Sequence, residues 1–148
     1  MDIQWALKKF DKLSVVELYK IIQLRNEVFV VEQHCPYQDA DEKDFGSHHL
    51  MGWIGNDLAA YTRLLPAGLS FEEISIGRVV TSPRYRQKGF GKLLMEKSIE
   101  SANFLFTVQP IKIGAQLYLQ KFYEGLGFIQ CSEIYLEDNI QHIEMLRK

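Results

Sequence analysis

The chain has 148 residues, a length typical of one domain, and 47% of them are hydrophobic, enough for a substantial core. A formal net charge of −2 argues against a nucleic-acid-binding surface, and no apolar run of about 18 residues predicts a membrane span. The N-terminus lacks a signal-peptide pattern, and Cys35 and Cys131 form no metal or disulfide pattern. We therefore expect one cytoplasmic domain over residues 1–148, with reduced thiols and with no metal, nucleic-acid or membrane partner.

The N-terminal region predicts a strand followed by a capped helix. Alternating apolar residues indicate a strand over residues 3–7. Ser14 and Glu17 have the spacing of a capping box, which predicts that a helix begins after Ser14. We expect this helix to end near Val30 and to carry its apolar stripe on Val15, Leu18, Ile22 and Phe29.

The middle of the chain predicts an irregular segment and then a hairpin. Residues 33–47 are polar and are interrupted by Pro36 and Gly46, which favours a loop. Strands are predicted over 49–54 and 58–65, around a turn at 55–57. Residues 66–70 are predicted to form a loop.

The C-terminal half predicts alternating strands and helices. The predicted elements are a strand over 74–81, a helix over 92–102, a strand over 111–115, a helix within 117–128, and an antiparallel pair over 129–137 and 141–147, turned by Asp138-Asn139. The resulting order, β-α-β-β-β-α-β-α-β-β, predicts an α/β fold in which a mixed sheet carries helices on both faces.

The run from Arg86 to Gly91 lies between a predicted strand and a predicted helix, an arrangement that directs backbone N–H groups at a phosphate. We expect a pyrophosphate over residues 87–92. A P-loop is excluded because Arg86 stands at its first glycine position and Leu93 at its Ser/Thr position. A dinucleotide fingerprint fails at Leu94.

The pattern that remains is [QR]-x-x-G-x-[GA], which Arg86, Gly89 and Gly91 match in full. It resembles the acyl-CoA loop of the GCN5-related N-acetyltransferase (GNAT) superfamily. The family's later core-helix pattern is similar to Phe122-Tyr123 with Gly127-Phe128. Four further segments resemble the ElaA-like branch: Phe29–Gln33, Cys35–Asp39, Gly114–Gln116 and His142-Ile143. The resemblance as a whole covers about residues 5–147.

This resemblance implies a GNAT-type, mostly antiparallel sheet in which acetyl-CoA, the co-substrate, lies in a V between splayed central strands. It implies that the backbone at Val79 and Thr81 bonds the pantetheine arm and polarises the thioester, while Val80 faces the core. The cofactor-binding residues that we expect are Val79, Val80, Thr81, Arg86, Gln87, Lys88, Gly89, Phe90, Gly91, Lys92, Gln116, Phe122 and Tyr123.

Tyr123 matches the family's general-acid position, and a phenol with a pKa near 10 holds a proton for the leaving thiolate. A core aromatic is the alternative interpretation. Where some family members have a glutamate base, this chain has Ser75. Glu32 and His142 are our alternative base candidates, and a mechanism without a dedicated base stays open.

The substrate is expected over residues 25–41, where several carboxylates suggest an acidic entrance suited to a cationic amine such as a polyamine, an amino sugar or a peptide N-terminus. A solvated charged loop is the alternative. We therefore predict an N-acetyltransferase acting on a small-molecule or peptide amine; the alternative is a non-catalytic acyl-CoA-binding or sensing module. A homodimer through the apolar C-terminal strands stays open.

Overall fold

The computed structural model describes residues 2–148. The strands are β1 (Gln4–Lys9), β2 (His48–Ile54), β3 (Asp57–Leu65), β4 (Ile74–Thr81), β5 (Ile111–Gln116), β6 (Ile129–Gln130), β7 (Tyr135–Glu137) and β8 (Ile140–Arg147). The α-helices are α1 (Val15–Arg25), α2 (Phe90–Phe106) and α3 (Gln120–Glu124), and a π-helical segment, Asn26–Glu32, continues α1. Among the described residues, no helix is both long and apolar enough to cross a membrane.

One mixed sheet organises the chain, with the strand order β1-β2-β3-β4-β5-β8-β6, and β7 pairs with β8. All neighbours are antiparallel except β4 and β5. Within residues 2–148, these two central strands pair at two positions, Ile74 with Ile111 and Ser75 with Lys112, and then diverge. The predicted fold class, a mostly antiparallel α/β sheet with splayed central strands, is confirmed.

Helices cover both faces of this sheet, as predicted. On one face, Ile21, Leu24 and Val28 pack against Met51 and Tyr61 in one buried cluster. The opposite face carries the larger cluster, to which α2, α3, β5 and β8 all contribute. Neighbouring residues on a strand point to opposite faces, so the same strands serve both clusters.

The start of α1 confirms the capping box. The Ser14 side chain accepts a hydrogen bond from the Glu17 N–H at 3.0 Å, and the Glu17 carboxylate accepts one from the Ser14 N–H at 2.8 Å. The predicted apolar stripe is wrong at Val15, which is 85% exposed, whereas Leu18, Ile22 and Phe29 are half-buried. The buried stripe consists instead of Ile21, Leu24, Arg25 and Val28, the last of which lies in the π-helical segment.

The C-terminal strand pair differs from the prediction in one respect. The predicted strand over 129–137 is two short strands, β6 and β7, which both pair with β8 but are separated by residues 131–134. The predicted turn is present, and Asp138 and Asn139 both have positive φ values, 51° and 64°. Asparagine and aspartate tolerate this left-handed conformation better than other non-glycine residues.

Candidate active site

A cleft with a volume of about 1110 Å³ opens where β4 and β5 separate. Its walls come from six parts of the chain: the splayed strands, the π-helical segment with the loop after it, the end of β3 with the loop after it, the start of α2 with the loop before it, the segment that contains α3, and the β7–β8 hairpin. The loop that follows the π-helical segment, residues 33–47, spans the open side of the sheet. The divergence of two central strands therefore opens a cleft in the middle of the sheet.

The loop before α2 has the geometry of an anion-binding helix start. Gly89 caps α2 in the left-handed conformation with φ +75°, and Gln87 is also left-handed, with φ +63°. The first N–H groups of an α-helix, here those of Phe90, Gly91 and Lys92, have no partner within the helix. A Cβ on Gly89 would contact nothing within 4 Å, so its backbone conformation rather than crowding requires glycine.

Two of the predicted loop residues, Arg86 and Gly91, line the cleft itself. The others extend from its rim toward solvent or onto the surface: Gln87, Lys88, Gly89, Phe90 and Lys92. Phe122 also lines the cleft, and its ring lies 3.9 Å from the position that a Cβ on Gly91 would occupy. The loop and α3 thus meet at one end of the cleft.

The end of β4 forms the cleft wall nearest to this loop. Val79, Val80 and Thr81 all line the cleft. The Val80 side chain is 3% exposed and packs in the α1 cluster, whereas Val79 packs toward α2. Because β4 has left β5 at this point, the strand edge that faces the cleft carries backbone groups with no neighbouring strand.

Tyr123 lies on α3 at the inner end of the cleft, and only 5% of its surface is exposed. Its ring contacts Phe122 and Phe128 edge to face, at 5.1 and 5.9 Å between centroids. Burial raises the pKa of the Tyr123 phenol above its ordinary value. The residue is therefore a core aromatic that also lines the cleft with a protonated hydroxyl, and its role as a general acid stays a prediction.

Glu32 ends the π-helical segment and lies across the cleft mouth from Arg86. Its two carboxylate oxygens each accept a hydrogen bond of 2.6 Å from the Arg86 guanidinium. These hydrogen bonds lower the pKa of Glu32 and raise that of Arg86. A carboxylate held in this way is a weak proton acceptor.

His142 lies on β8, is 8% exposed and lines the cleft. Its Nδ1 lies 2.7 Å from the Ile140 carbonyl oxygen. A carbonyl can only accept, so Nδ1 carries the proton and the lone pair of the neutral ring is on Nε2. Glu137 Oε2 lies 3.7 Å from this Nε2, and the Tyr135 ring stacks on the imidazole at 5.8 Å.

Gln116 ends β5 and contacts the opposite wall rather than open space. Its Nε2 donates a hydrogen bond of 3.2 Å to Gln33 Oε1. Close by, Cys35 Sγ lies 3.3 Å from the Asp138 carbonyl oxygen on the β7–β8 turn. Residues 33–35 therefore connect the α1 side of the molecule to the β5–β8 side across the splay.

The acidic entrance predicted from sequence needs correction, because its aspartates face arginines. Asp39 bonds Arg25 Nε at 2.7 Å and Arg78 Nε at 2.8 Å. Asp44 bonds Arg25 at 2.7 Å and Arg63 at 3.1 Å. Asp41 completes the set with two bonds of 2.8 and 2.7 Å to Arg63. Three carboxylates are thus matched by three guanidinium groups.

Burial shapes the electrostatics of this network. Asp39 and Asp44 are 4% and 7% exposed, and Arg25 is completely buried. Burial by itself would raise the pKa values of Asp41 and Asp44, but the hydrogen bonds and charges of their arginine partners outweigh it and lower both values. Asp41 and Asp44 therefore stay ionised at neutral pH, and the network holds residues 33–47 against α1, β3 and β4.

Sequence reasoning missed these arginines. Arg25 occupies a position three residues before Val28 on the buried stripe of α1, and Arg63 lies within the otherwise apolar strand β3. The sequence did offer one sign of a buried ion-pair network. It places an isolated arginine at a buried position of a helix or strand and several aspartates in a nearby loop.

Comparison with known proteins agrees with this architecture. Residues 17–148 match the family model described as "Acetyltransferase (GNAT) domain". The protein ElaA of Escherichia coli is 43% identical over 148 residues, which covers 99% of this chain and 97% of ElaA.

Solved structures extend the comparison. An acyl-CoA N-acyltransferase from Pseudomonas aeruginosa superposes with a TM-score of 0.95 at 44% identity, over 99% of this chain and all of that chain. The E. coli ElaA structure gives a TM-score of 0.93 at 42% identity, over the same shares. A GNAT family acetyltransferase from Elizabethkingia anophelis, with acetyl-CoA bound, shares the fold with a TM-score of 0.70 at 15% identity, covering 99% of this chain and 97% of that one.

Proposed function

Because the chain belongs to the GNAT acetyltransferase family, we propose that it is an N-acetyltransferase that moves an acetyl group from acetyl-CoA to a primary amine by direct transfer. The observation that carries this proposal is the convergence of three features on one cleft. These are the splay of β4 and β5, the glycine-containing start of α2, and the protonated Tyr123 hydroxyl.

Acetyl-CoA would lie along the splay. Its pyrophosphate would bind the free N–H groups at residues 87–92, where the helix dipole favours an anion. Its pantetheine would bond the free edge of β4 at Val79 and Thr81, which would point the thioester carbonyl at a backbone donor. Acetyl-CoA is the ligand bound in the Elizabethkingia structure, and this supports the choice of cofactor.

The transfer removes two protons from the acceptor nitrogen and supplies one to sulfur. The ammonium of the acceptor loses its first proton to His142 Nε2, which carries the ring's lone pair because Nδ1 donates to Ile140. The neutral amine attacks the carbonyl carbon, the C–S bond breaks, and Tyr123 donates its proton to the leaving thiolate. The second nitrogen proton leaves as the amide forms and restores the Tyr123 phenol, so that the net product is one proton, carried by His142 to solvent. Glu32 is the weaker base candidate, since its carboxylate is held by Arg86.

A calorimetric titration with acetyl-CoA, with CoA and NAD as comparisons, tests the cofactor. Tyr123→Phe then tests the chemistry: we expect kcat, measured as CoA thiol release, to fall by about 10²- to 10⁴-fold, with little change in acetyl-CoA affinity. Tyr19→Phe, at an exposed tyrosine of α1, is the matched control and should change neither quantity. Tight binding without any turnover would favour a non-catalytic acyl-CoA-binding module.

A further inference from the structure

Charge is distributed unevenly between the two walls of the cleft. On the wall formed by residues 33–47, β3 and β4, the charged side chains that line the cleft are Arg63, Arg78, Lys43 and Asp41. Asp41 pairs with Arg63. The Lys43 Nζ donates to Ser70 Oγ at 2.9 Å, and among residues 2–148 no carboxylate lies within ion-pair distance of it. The part of this wall that lines the cleft therefore carries a net positive charge.

Arg78 presents a free edge of its guanidinium on the same wall. Its Nε and Nη2 donate to the Asp39 carboxylate and carbonyl at 2.8 and 2.9 Å, and its guanidinium lies over the Tyr37 ring at 5.9 Å. Within the described chain, its hydrogen bonds leave Nη1 free. The side chain is 22% exposed and lines the cleft, so this edge is fixed in place before any ligand arrives.

The backbone at Arg78 is strained at the point where β4 leaves β5. Its φ is +52°, a left-handed value that is unfavourable for a non-glycine residue. Such strain persists where the surrounding structure fixes a residue, and it concentrates at ligand sites. The nearby Arg63 Nε adds a second donor, buried and without a partner in the described residues, 3.7 Å from the position of a Gly77 Cβ.

The opposite wall, from the β7–β8 hairpin, carries the reverse charge. Glu137 and Asp138 both line the cleft, and Glu137 is close to the proposed base His142. Glu144 is the carboxylate of this wall that a lysine neutralises, through Lys112 at 3.2 Å. An ammonium group would be favoured on this side, next to the lone pair that would deprotonate it.

We propose that the acceptor is an amine that also carries a carboxylate, an amino-acid-like zwitterion whose carboxylate binds Arg78 and Lys43 while its amine faces His142 and Glu137. This inference rests on the proposed function and names its substrate class. A simple polyamine would leave the positive wall without a partner. A carboxylate there would gain charge-assisted hydrogen bonds from a preorganised arginine and a lysine.

The test compares acceptors that differ only in charge. L-α-amino acids, β-alanine and γ-aminobutyrate are each assayed beside their primary amides, with spermidine as a polyamine, and kcat/KM is measured from CoA release. Loss of a hydrogen bond to a charged group weakens binding by roughly ten- to a hundredfold. We therefore expect kcat/KM for each acid to exceed that for its amide by about this factor.

Variants connect this preference to the two residues. Lys43→Gln should raise KM for the acids at least about fivefold and so lower the acid-to-amide ratio of kcat/KM. Arg78→Gln should lower the same ratio, with urea unfolding as the check that the segment at residues 33–47 stays folded, because Arg78 also pairs with buried Asp39. Lys20→Gln removes the same charge from α1, outside the cleft, and should have no effect.

The outcomes separate the two proposals. Equal or better use of amides or spermidine, with acetyl-CoA turnover intact, would overturn the zwitterionic acceptor and leave the acetyltransferase standing. An acid preference that both variants preserve would also overturn the assignment to Arg78 and Lys43. Failure to bind acetyl-CoA, or to release CoA with any of these amines, would overturn the proposed function and the acceptor with it.

Discussion

The loop at residues 86–92 and the segment at residues 33–47 face the same cleft but are built in opposite ways. The first is exposed and presents the backbone N–H groups of a helix start, so its requirement is a local conformation that glycine supplies. The second is held by buried side chains whose partners lie on α1, β3 and β4. A substitution in the loop at residues 86–92 should therefore change its local conformation with little effect on the stability of the fold. A substitution in the buried ionic network should destabilise the fold itself.

The largest effect is expected from Arg25→Met. This change leaves Asp39 and Asp44 buried without one of their two arginine partners each, and breaking a buried ion pair costs about 3–5 kcal/mol. Urea unfolding measures the loss of folding free energy. Arg84→Met is the matched control: Arg84 is 71% exposed in its pair with Asp57, so a change below about 1 kcal/mol is expected. Equal effects in the two variants would contradict the structural role of the network.

Acid should weaken the same segment. The pKa values of Asp41 and Asp44 are lower in the folded protein than in the unfolded chain, where an aspartate titrates near about 3.9. Their contribution to stability is thus complete above that value and is lost as the pH falls through the lower folded values. The full loss is about 1.4 kcal/mol for each unit between the folded and the unfolded pKa, and it is reached only below the folded values. Urea unfolding at pH 7 and at pH 3 measures the part lost in the first pH unit below the unfolded value, which is about 1 kcal/mol for buried Asp44 and less for the more exposed Asp41.

The Arg25→Met variant sharpens this test. Because Arg25 lowers the pKa of Asp44, its removal should bring the folded value closer to the unfolded one and flatten the dependence of stability on pH. An unchanged slope would place the acid sensitivity elsewhere in the protein.

In the loop at residues 86–92, Gly89→Val should affect acetyl-CoA binding more than folding. Both Gly89 and Gly55 have positive φ, +75° and +59°, with no atom within 4 Å of a Cβ. Valine at either position should therefore cost about 1–2 kcal/mol of folding free energy. Acetyl-CoA affinity, measured by calorimetry, should fall at least about tenfold in Gly89→Val alone, since one hydrogen bond to a charged phosphate is worth that much. Equal affinities in the two variants would refute the placement of the pyrophosphate.

Features that depend on local backbone conformation could be predicted from sequence, whereas features that depend on contacts between distant side chains could not. The bounds of β4, Ile74–Thr81, and the turn at Asp138-Asn139 follow from short-range patterns and were predicted correctly. The motif of the loop at residues 86–92 could also be recognised, because it lies in consecutive residues. The ionic network joins residues 14 to 39 positions apart through an irregular segment, and no local pattern encodes such pairing.

The same argument explains the error on α1. An amphipathic pattern identifies a helix but is a weak guide to its orientation when one buried position is occupied by a charged residue. Arg25 replaces an apolar side chain on the buried stripe, so the pattern of apolar residues alone favoured Val15, which is exposed. Such a position becomes interpretable only once its carboxylate partners are known.

The smallest effect, and the one that joins the two regions, is expected from Glu32→Gln. Glu32 and Arg86 are 41% and 37% exposed, so their ion pair should contribute less than about 1 kcal/mol to stability. The substitution removes a carboxylate that occupies Arg86 at the start of the loop at residues 86–92 and would repel an incoming anion. Acetyl-CoA affinity should therefore rise by a few-fold, most at low salt, where charge interactions are least screened. Weaker binding would instead mean that Glu32 positions Arg86 for the ligand, and that the exposed loop depends on the segment before residue 33 after all.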